Sequence, residues 1–228
     1  MKYFLSLIFV FQCSTCISSE VDITKLLIPD FAQAQIVSDN MNVNGVNMGV
    51  IQFATDKSVE DVEEFYRNEI GEIKASEFEQ WKIISWIKRK YLYTVQMTKD
   101  DNLDKVHGYI SVSPLPYLVK KNKLKNIELG RGFPKIAGSS VVNDIKAVDL
   151  NKHSRTLWIT NKSSVESNLK FYKTHYLKKG WLLEHKTYDA TRKVGALLMR
   201  KGSDEANLVF SNDSLLKVTN VNAVIVEK

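Results

Sequence analysis

The sequence predicts an α+β protein made of two tandem, similar modules. Each is expected to be an antiparallel sheet, in the order ββαβββ along the chain, with one helix packed on a face. Three observations carry this expectation. A β-type stretch around Ile36-Val37-Ser38-Asp39 has a counterpart about 105 residues later at Val141-Val142-Asn143-Asp144. Each stretch leads through a second apolar strand into a helix, Ser58-Val59-Glu60 to Phe65-Tyr66-Arg67 first and Ser164-Val165-Glu166 to Phe171-Tyr172-Lys173 second. Each helix is followed by a tryptophan, Trp81 or Trp181, that opens a new strand-like run. The organisation that follows is a leader at 1–19, a first module at 27–114, a basic linker at 115–134 and a second module at 135–228.

The leader reads as a secretory signal peptide. Lys2 supplies a positive start, and Tyr3 to Phe11 is apolar apart from Ser6. Ser14, Thr15, Ser18 and Ser19 then offer small residues, with cleavage expected between Ser19 and Glu20. The apolar run falls well short of the ~20 residues that span a bilayer. A periplasmic or secreted protein is expected, with no transmembrane span after signal removal. Cys13 follows Val-Phe-Gln and Cys16 follows Cys-Ser-Thr, so neither sits in a lipobox and a lipid anchor is not expected. These are the chain's 2 cysteines, which leaves a mature chain without a disulfide, a thiolate metal site or a cysteine nucleophile.

In the first module, Ala34-Gln35-Ile36-Val37 opens a strand. Asn44-Gly45 between Val43 and Val46 signals a tight hairpin, because both turn positions need positive φ. Met48 to Phe53 is the returning strand. Ser58 caps a helix with Asp61 as its capping-box partner, and Val59, Val62, Phe65, Tyr66 and Ile70 recur at helical spacing. Trp81 to Ile87, Tyr91 to Met97 and Val106 to Val112 read as three further strands. The Gly71 to Gln80 region, with Glu72, Glu77 and Glu79, reads as an acidic insertion peculiar to this copy.

The second module starts with strands at Ser139 to Asp144 and Arg155 to Ile159, with a turn expected from Lys146 to Ser154. A helix from Ser163 or Ser164, with Glu166 completing a Ser-x-x-Glu box, runs to Lys178-Lys179. Gly180 supplies the left-handed residue that ends it. Trp181 to His185, Val194 to Met199, Ala206 to Phe210 and Leu215 to Val226 follow as strands.

Chemistry is sparsely signalled. His107, His153, His175 and His185 show no metal-ligand spacing with one another or with Asp and Glu. No Gly-x-Ser-x-Gly elbow or Gly-rich phosphate loop occurs. No catalytic residue and no cofactor is assigned, and the protein is not expected to be an enzyme. A hydrolase would require His175, His185 and a carboxylate to converge. The interaction residues proposed from sequence are Tyr66 with Arg67 and Tyr172 with Lys173 on the helices. Two basic stretches join them, Lys88-Arg89-Lys90 beside aromatic residues, and Lys120, Lys121, Lys123 and Lys125 in the linker.

The pattern Val-Ser-Asp, strand, Phe-Tyr-Arg helix, Trp resembles the repeats of uncharacterised bacterial exported proteins, whose helix is followed by Gly-Trp. It is matched here by Val37-Ser38-Asp39, Phe65-Tyr66-Arg67 and Trp81, then by Val142-Asn143-Asp144, Phe171-Tyr172-Lys173 and Gly180-Trp181. The resemblance implies an envelope location and carries over no activity. The expected role is a non-enzymatic binding or scaffold protein of the cell envelope, an accessory component of a pilus or secretion assembly, with envelope proteins as partners. The alternative is a binder of an anionic polymer or lipid headgroups through the basic residues, compatible with the net charge of +6.

Overall fold

The computed structural model describes residues 21–100, 103–115, 128–149 and 152–227. The expected leader with Cys13 and Cys16, and Lys120, Lys121, Lys123 and Lys125, lie outside the described residues. Strand accounts for 57% and helix for 15%, and the strands form one 12-stranded antiparallel sheet. The strands are β1 (Gln33–Val43), β2 (Val46–Thr55), β3 (Lys74–Phe78), β4 (Trp81–Lys88), β5 (Tyr91–Asp100), β6 (Lys105–Pro114), β7 (Ser140–Asp149) and β8 (Lys152–Asn161). Leu182–Asp189, Val194–Lys201, Asp204–Asp213 and Val218–Glu227 are β9, β10, β11 and β12. Helix α1 (Val59–Ile70) follows β2 and α2 (Val165–Lys178) follows β8.

This corrects the expected fold class. The protein is not an α+β pair of ββαβββ modules but a mostly-β chain whose strands join in a single sheet. The spatial order is β3-β4-β5-β6-β2-β1-β7-β8-β12-β11-β10-β9. The two halves meet where β1 pairs with β7 through Met41↔Ala147, Asn42↔Lys146 and Val43↔Ile145. An open sheet edge presents unpaired N–H and C=O groups, and edge-to-edge pairing satisfies them. The Asn44-Gly45 turn, with φ of 51° and 85°, abuts the second half: the Asn44 amide donates to the Asp144 carbonyl at 3.0 Å. The Asp144 amide donates to Asn44 Oδ1 at 2.8 Å.

Three local expectations change as well. The supposed insertion holds β3, an all-exposed edge strand paired with β4. Its Lys-Ala-Ser-Glu-Phe sequence lacks the apolar alternation that marks a half-buried strand. The turn expected from Lys146 to Ser154 is strand down to Asp149 and from Lys152, paired in register. Trp81 and Trp181 are not counterparts: Trp81 opens the second of the strands that follow α1, whereas Trp181 precedes the first strand after α2.

The helices form where caps and an apolar stripe coincide. Ser58 and Asp61 make a reciprocal capping box at α1. Ser164, rather than Ser163, caps α2 by accepting from the Ser167 amide, so Glu166 completes no box. Val62 and Tyr66 of α1, and Leu169, Tyr172 and Tyr176 of α2, are buried against the sheet. Two core clusters result, one around Phe53, Ile84, Val95, Met97 and Ile110, the other around Leu157, Ile159, Leu208, Phe210 and Val221. Residues directly opposite in a ladder share a face. Asn42 pairs with Asn47 on the Ile51 side, and Lys146 pairs with Arg155 on the Leu157 side. Both helices therefore lie on one face, and among the described residues no element covers the other, which carries Trp81, Tyr109, Trp158, Val209 and Val224.

Candidate functional site

The two halves differ at their outer edges, and the difference creates a recess. In the second half β9 pairs with β10 along nearly all its length, from Val194↔Asp189 to Arg200↔Leu182. In the first half β3 stops at Lys74↔Ser85, so Trp86, Ile87 and Lys88 of β4 run on without an edge partner. The Lys88↔Tyr91 pair closes a two-residue turn. Such a pair is hydrogen-bonded, and the alternation along an antiparallel strand then turns the Ile87 N–H and C=O outward. Among the described residues those two groups have no partner, and the Ile87 side chain is 60% exposed.

A cavity of about 760 Å³ borders this free segment, between it and the end of α1. Its apolar wall is made by Ile70, Ile73, Trp86 and Leu92, and its rim by Glu69 and Glu72 on one side and Lys74 and Lys88 on the other. The indole of Trp86 is held rigidly. It stacks on Tyr93 with centroids 5.2 Å apart and planes 7° apart, and Tyr66 lies 5.4 Å away. Offset aromatic stacking of this kind fixes ring position beyond what area burial alone does. The site can accept one extended segment: two backbone hydrogen bonds at Ile87 and an apolar seat beside it.

The residues proposed from sequence fall in separate places. Tyr66 and Tyr172 are fully buried, which corrects their assignment to a docking surface, because each ring points from its helix into the sheet. Arg67 is exposed and forms an ion pair with Glu63, which also accepts from Lys82 at 2.7 Å. These cations hold the Glu63 carboxyl below its usual range, the Lys82 hydrogen bond contributing most. Lys173 is partly exposed on α2. Lys88 ends β4 and Arg89 and Lys90 form the turn beyond it, with the Lys90 ammonium 5.5 Å from the Tyr91 ring. The neighbouring Trp86 and Tyr93 are engaged with each other on the helix side, not arrayed as a platform.

His175 and His185 do not meet. His185 pairs with Leu198, on the face opposite the buried Leu197, while His175 stands on α2. Burial, with Lys179 adding to it, holds the His175 imidazole below its ordinary pKa. Among the described residues no three of His, Cys, Asp and Glu are grouped to hold a metal ion. No helix among them is long and apolar enough to cross a membrane.

What the sequence does not signal is the recess itself. Its lining comes from three stretches of the chain, 69–74, 85–88 and Leu92, and only the aromatic content of Trp86 to Tyr93 hints at it. No family model, no curated protein and no solved structure matches the chain.

Proposed function

We propose that the protein is an exported, non-enzymatic binding component of a bacterial cell-envelope assembly, and that it captures an extended segment of a partner protein as an added strand on β4. The observation that supports this most is the free backbone of Ile87 beside an apolar recess. The other half supplies the precedent for the occupant: at the matching place Leu183 pairs with Met199 and Leu182 with Arg200. Strand addition draws its affinity from main-chain hydrogen bonds and its selectivity from pockets for alternate side chains. The partner segment is accordingly extended, with one apolar residue to sit on Trp86 and Ile73. Acidic residues flank it where it passes Lys88, Arg89 and Lys90, which steers its approach. The leader-like residues 1–19 support export.

The test begins with peptides selected from a displayed library against the mature protein and measured by calorimetry. Ile87→Pro removes an N–H with no partner among the described residues, so the unfolding temperature is expected to change little while peptide binding is lost. Selected peptides that bind the Ile87→Pro variant with unchanged affinity would contradict the proposal.

A further inference from the structure

A second recess, of about 450 Å³, lies where β7, β8 and β12 run past the C-terminal end of α2. Its floor is two cross-strand rows in direct register, Lys146–Arg155–Ile225 and Val148–His153–Glu227. Tyr176 and Trp181 form an aromatic wall, their rings 5.1 Å apart and nearly perpendicular, and Lys179 and His175 stand beside them.

The charges here are unbalanced. Arg155 is neutralised within the fold, because its guanidinium donates to both Asp144 carboxylate oxygens at 2.9 and 2.7 Å and to the Arg131 carbonyl at 3.0 Å. Lys146 is directly opposite Arg155 on the next strand, and the Asp144 carboxylate that neutralises Arg155 is also attracted to Lys146 without pairing with it. Among the described residues neither Lys146 nor Lys179 has an ion-pair partner. Among the described residues Glu227 is the one carboxylate at the rim, across the ladder from His153.

Comparison of the halves shows that this arrangement is not imposed by the fold. Val46 and Lys152 open β2 and β8, an offset of 106, which makes Gly49 the counterpart of Arg155. Over Gly49 the first half is plugged by Val21 and Ile23, so tightly that a Cβ there would stand 2.1 Å from Ile23 Cγ2. Among the described residues the second half leaves the same place open and surrounds it with cations. A cavity of this size, mostly apolar with a few convergent polar groups, suits a small molecule.

We propose that this recess binds a small organic anion, its acidic head held by Lys146 and Lys179 and its ring or apolar body seated against Tyr176 and Trp181. The site is separate from the β4 edge, so either can fail without the other. The anion supplies a counter-charge to the two ammonium groups, neither of which has an ion pair among the described residues. Charge-assisted hydrogen bonds to the two ammonium groups fix its head.

Titration with phenyl phosphate, followed by calorimetry and tryptophan fluorescence at low ionic strength, tests this. Saturable binding that weakens with added salt is expected, with a change in indole emission that Trp181→Phe removes. Lys146→Gln and Lys179→Gln are each expected to weaken binding about tenfold, while Lys170→Gln, an exposed cation elsewhere on α2, leaves it unchanged. Ligand-free Lys146→Gln is expected to unfold at about the same temperature, which separates a binding defect from a folding defect. No saturable binding, or binding that survives the double substitution, would overturn the site. Equal affinity for inorganic phosphate and phenyl phosphate would overturn the aromatic seat.

Discussion

Tyr66 and Tyr172 occupy the same place in the two halves, yet their hydroxyls fare differently. The Tyr66 hydroxyl donates to the Leu27 carbonyl at 2.8 Å. The Tyr172 hydroxyl is equally buried and has no hydrogen-bond partner among the described residues. Burial pushes both phenols far above their ordinary pKa, so both stay protonated. A lost partner leaves the other group unsatisfied, whereas removal of an orphan costs nothing in hydrogen bonding. Tyr66→Phe is therefore expected to destabilise the protein by about 1 kcal/mol, and Tyr172→Phe to be neutral or stabilising, by urea unfolding. An equal loss in both would show that the two hydroxyls are equivalent after all. The aromatic character of these positions was legible in the Phe-Tyr pairs; the fate of the hydroxyls was not, because Leu27 lies 39 residues from Tyr66.

Among the elements, the β4–β5 hairpin departs most from its counterpart. Arg89 turns it with φ of 58°, where the β10–β11 hairpin uses Gly202 at 59°. A side chain in this region costs roughly 1 kcal/mol, part of which glycine returns through its freer unfolded chain. Arg89→Gly is expected to raise stability by about 0.5 kcal/mol and to slow peptide capture at Ile87 without abolishing it. If that single change instead abolished partner binding, the basic tip would be the functional element and the edge would not. The helices and the Asn44-Gly45 turn were readable because cap, turn and periodicity signals are local. β3 was not, since an exposed edge strand needs no apolar alternation. Nor was the second recess: Lys146 and His153 sit in a polar run that resembles a turn when its pairing partners are unknown, and Arg155 only opens the strand after it.

At the scale of the molecule, Asp144 links the halves to each other and to the segment between them. Its backbone pairs with Asn44, and its side chain accepts from Arg155 and from the Gly130 amide at 2.8 Å. Burial alone would raise its pKa, but donation by Arg155 and Gly130 outweighs burial and the net shift is downward. A depressed folded pKa contributes stability that is present above the ordinary carboxylate range near ~4 and lost as pH falls through the folded value. Asp144→Asn is expected to cost about 2 kcal/mol at neutral pH, because the partly buried Arg155 loses the carboxylate that neutralises it, and to flatten the acid limb of the stability curve. Urea unfolding of both proteins at neutral and strongly acidic pH checks this; an unchanged difference between the two conditions would count against it. The helix of each half and most of its strands were legible from local signals, but the β1–β7 pairing that joins the halves was not. It depends on backbone groups about 100 residues apart that any strand could offer.

The central claim is that β4 is an open edge awaiting a strand. Amide hydrogen exchange at Ile87, followed by NMR with and without a selected peptide, addresses it directly. Fast exchange is expected in the free protein and strong protection in the complex, with little change at Ile83 or Ser85. Slow exchange in the free protein, or no added protection when the peptide is bound, would contradict it.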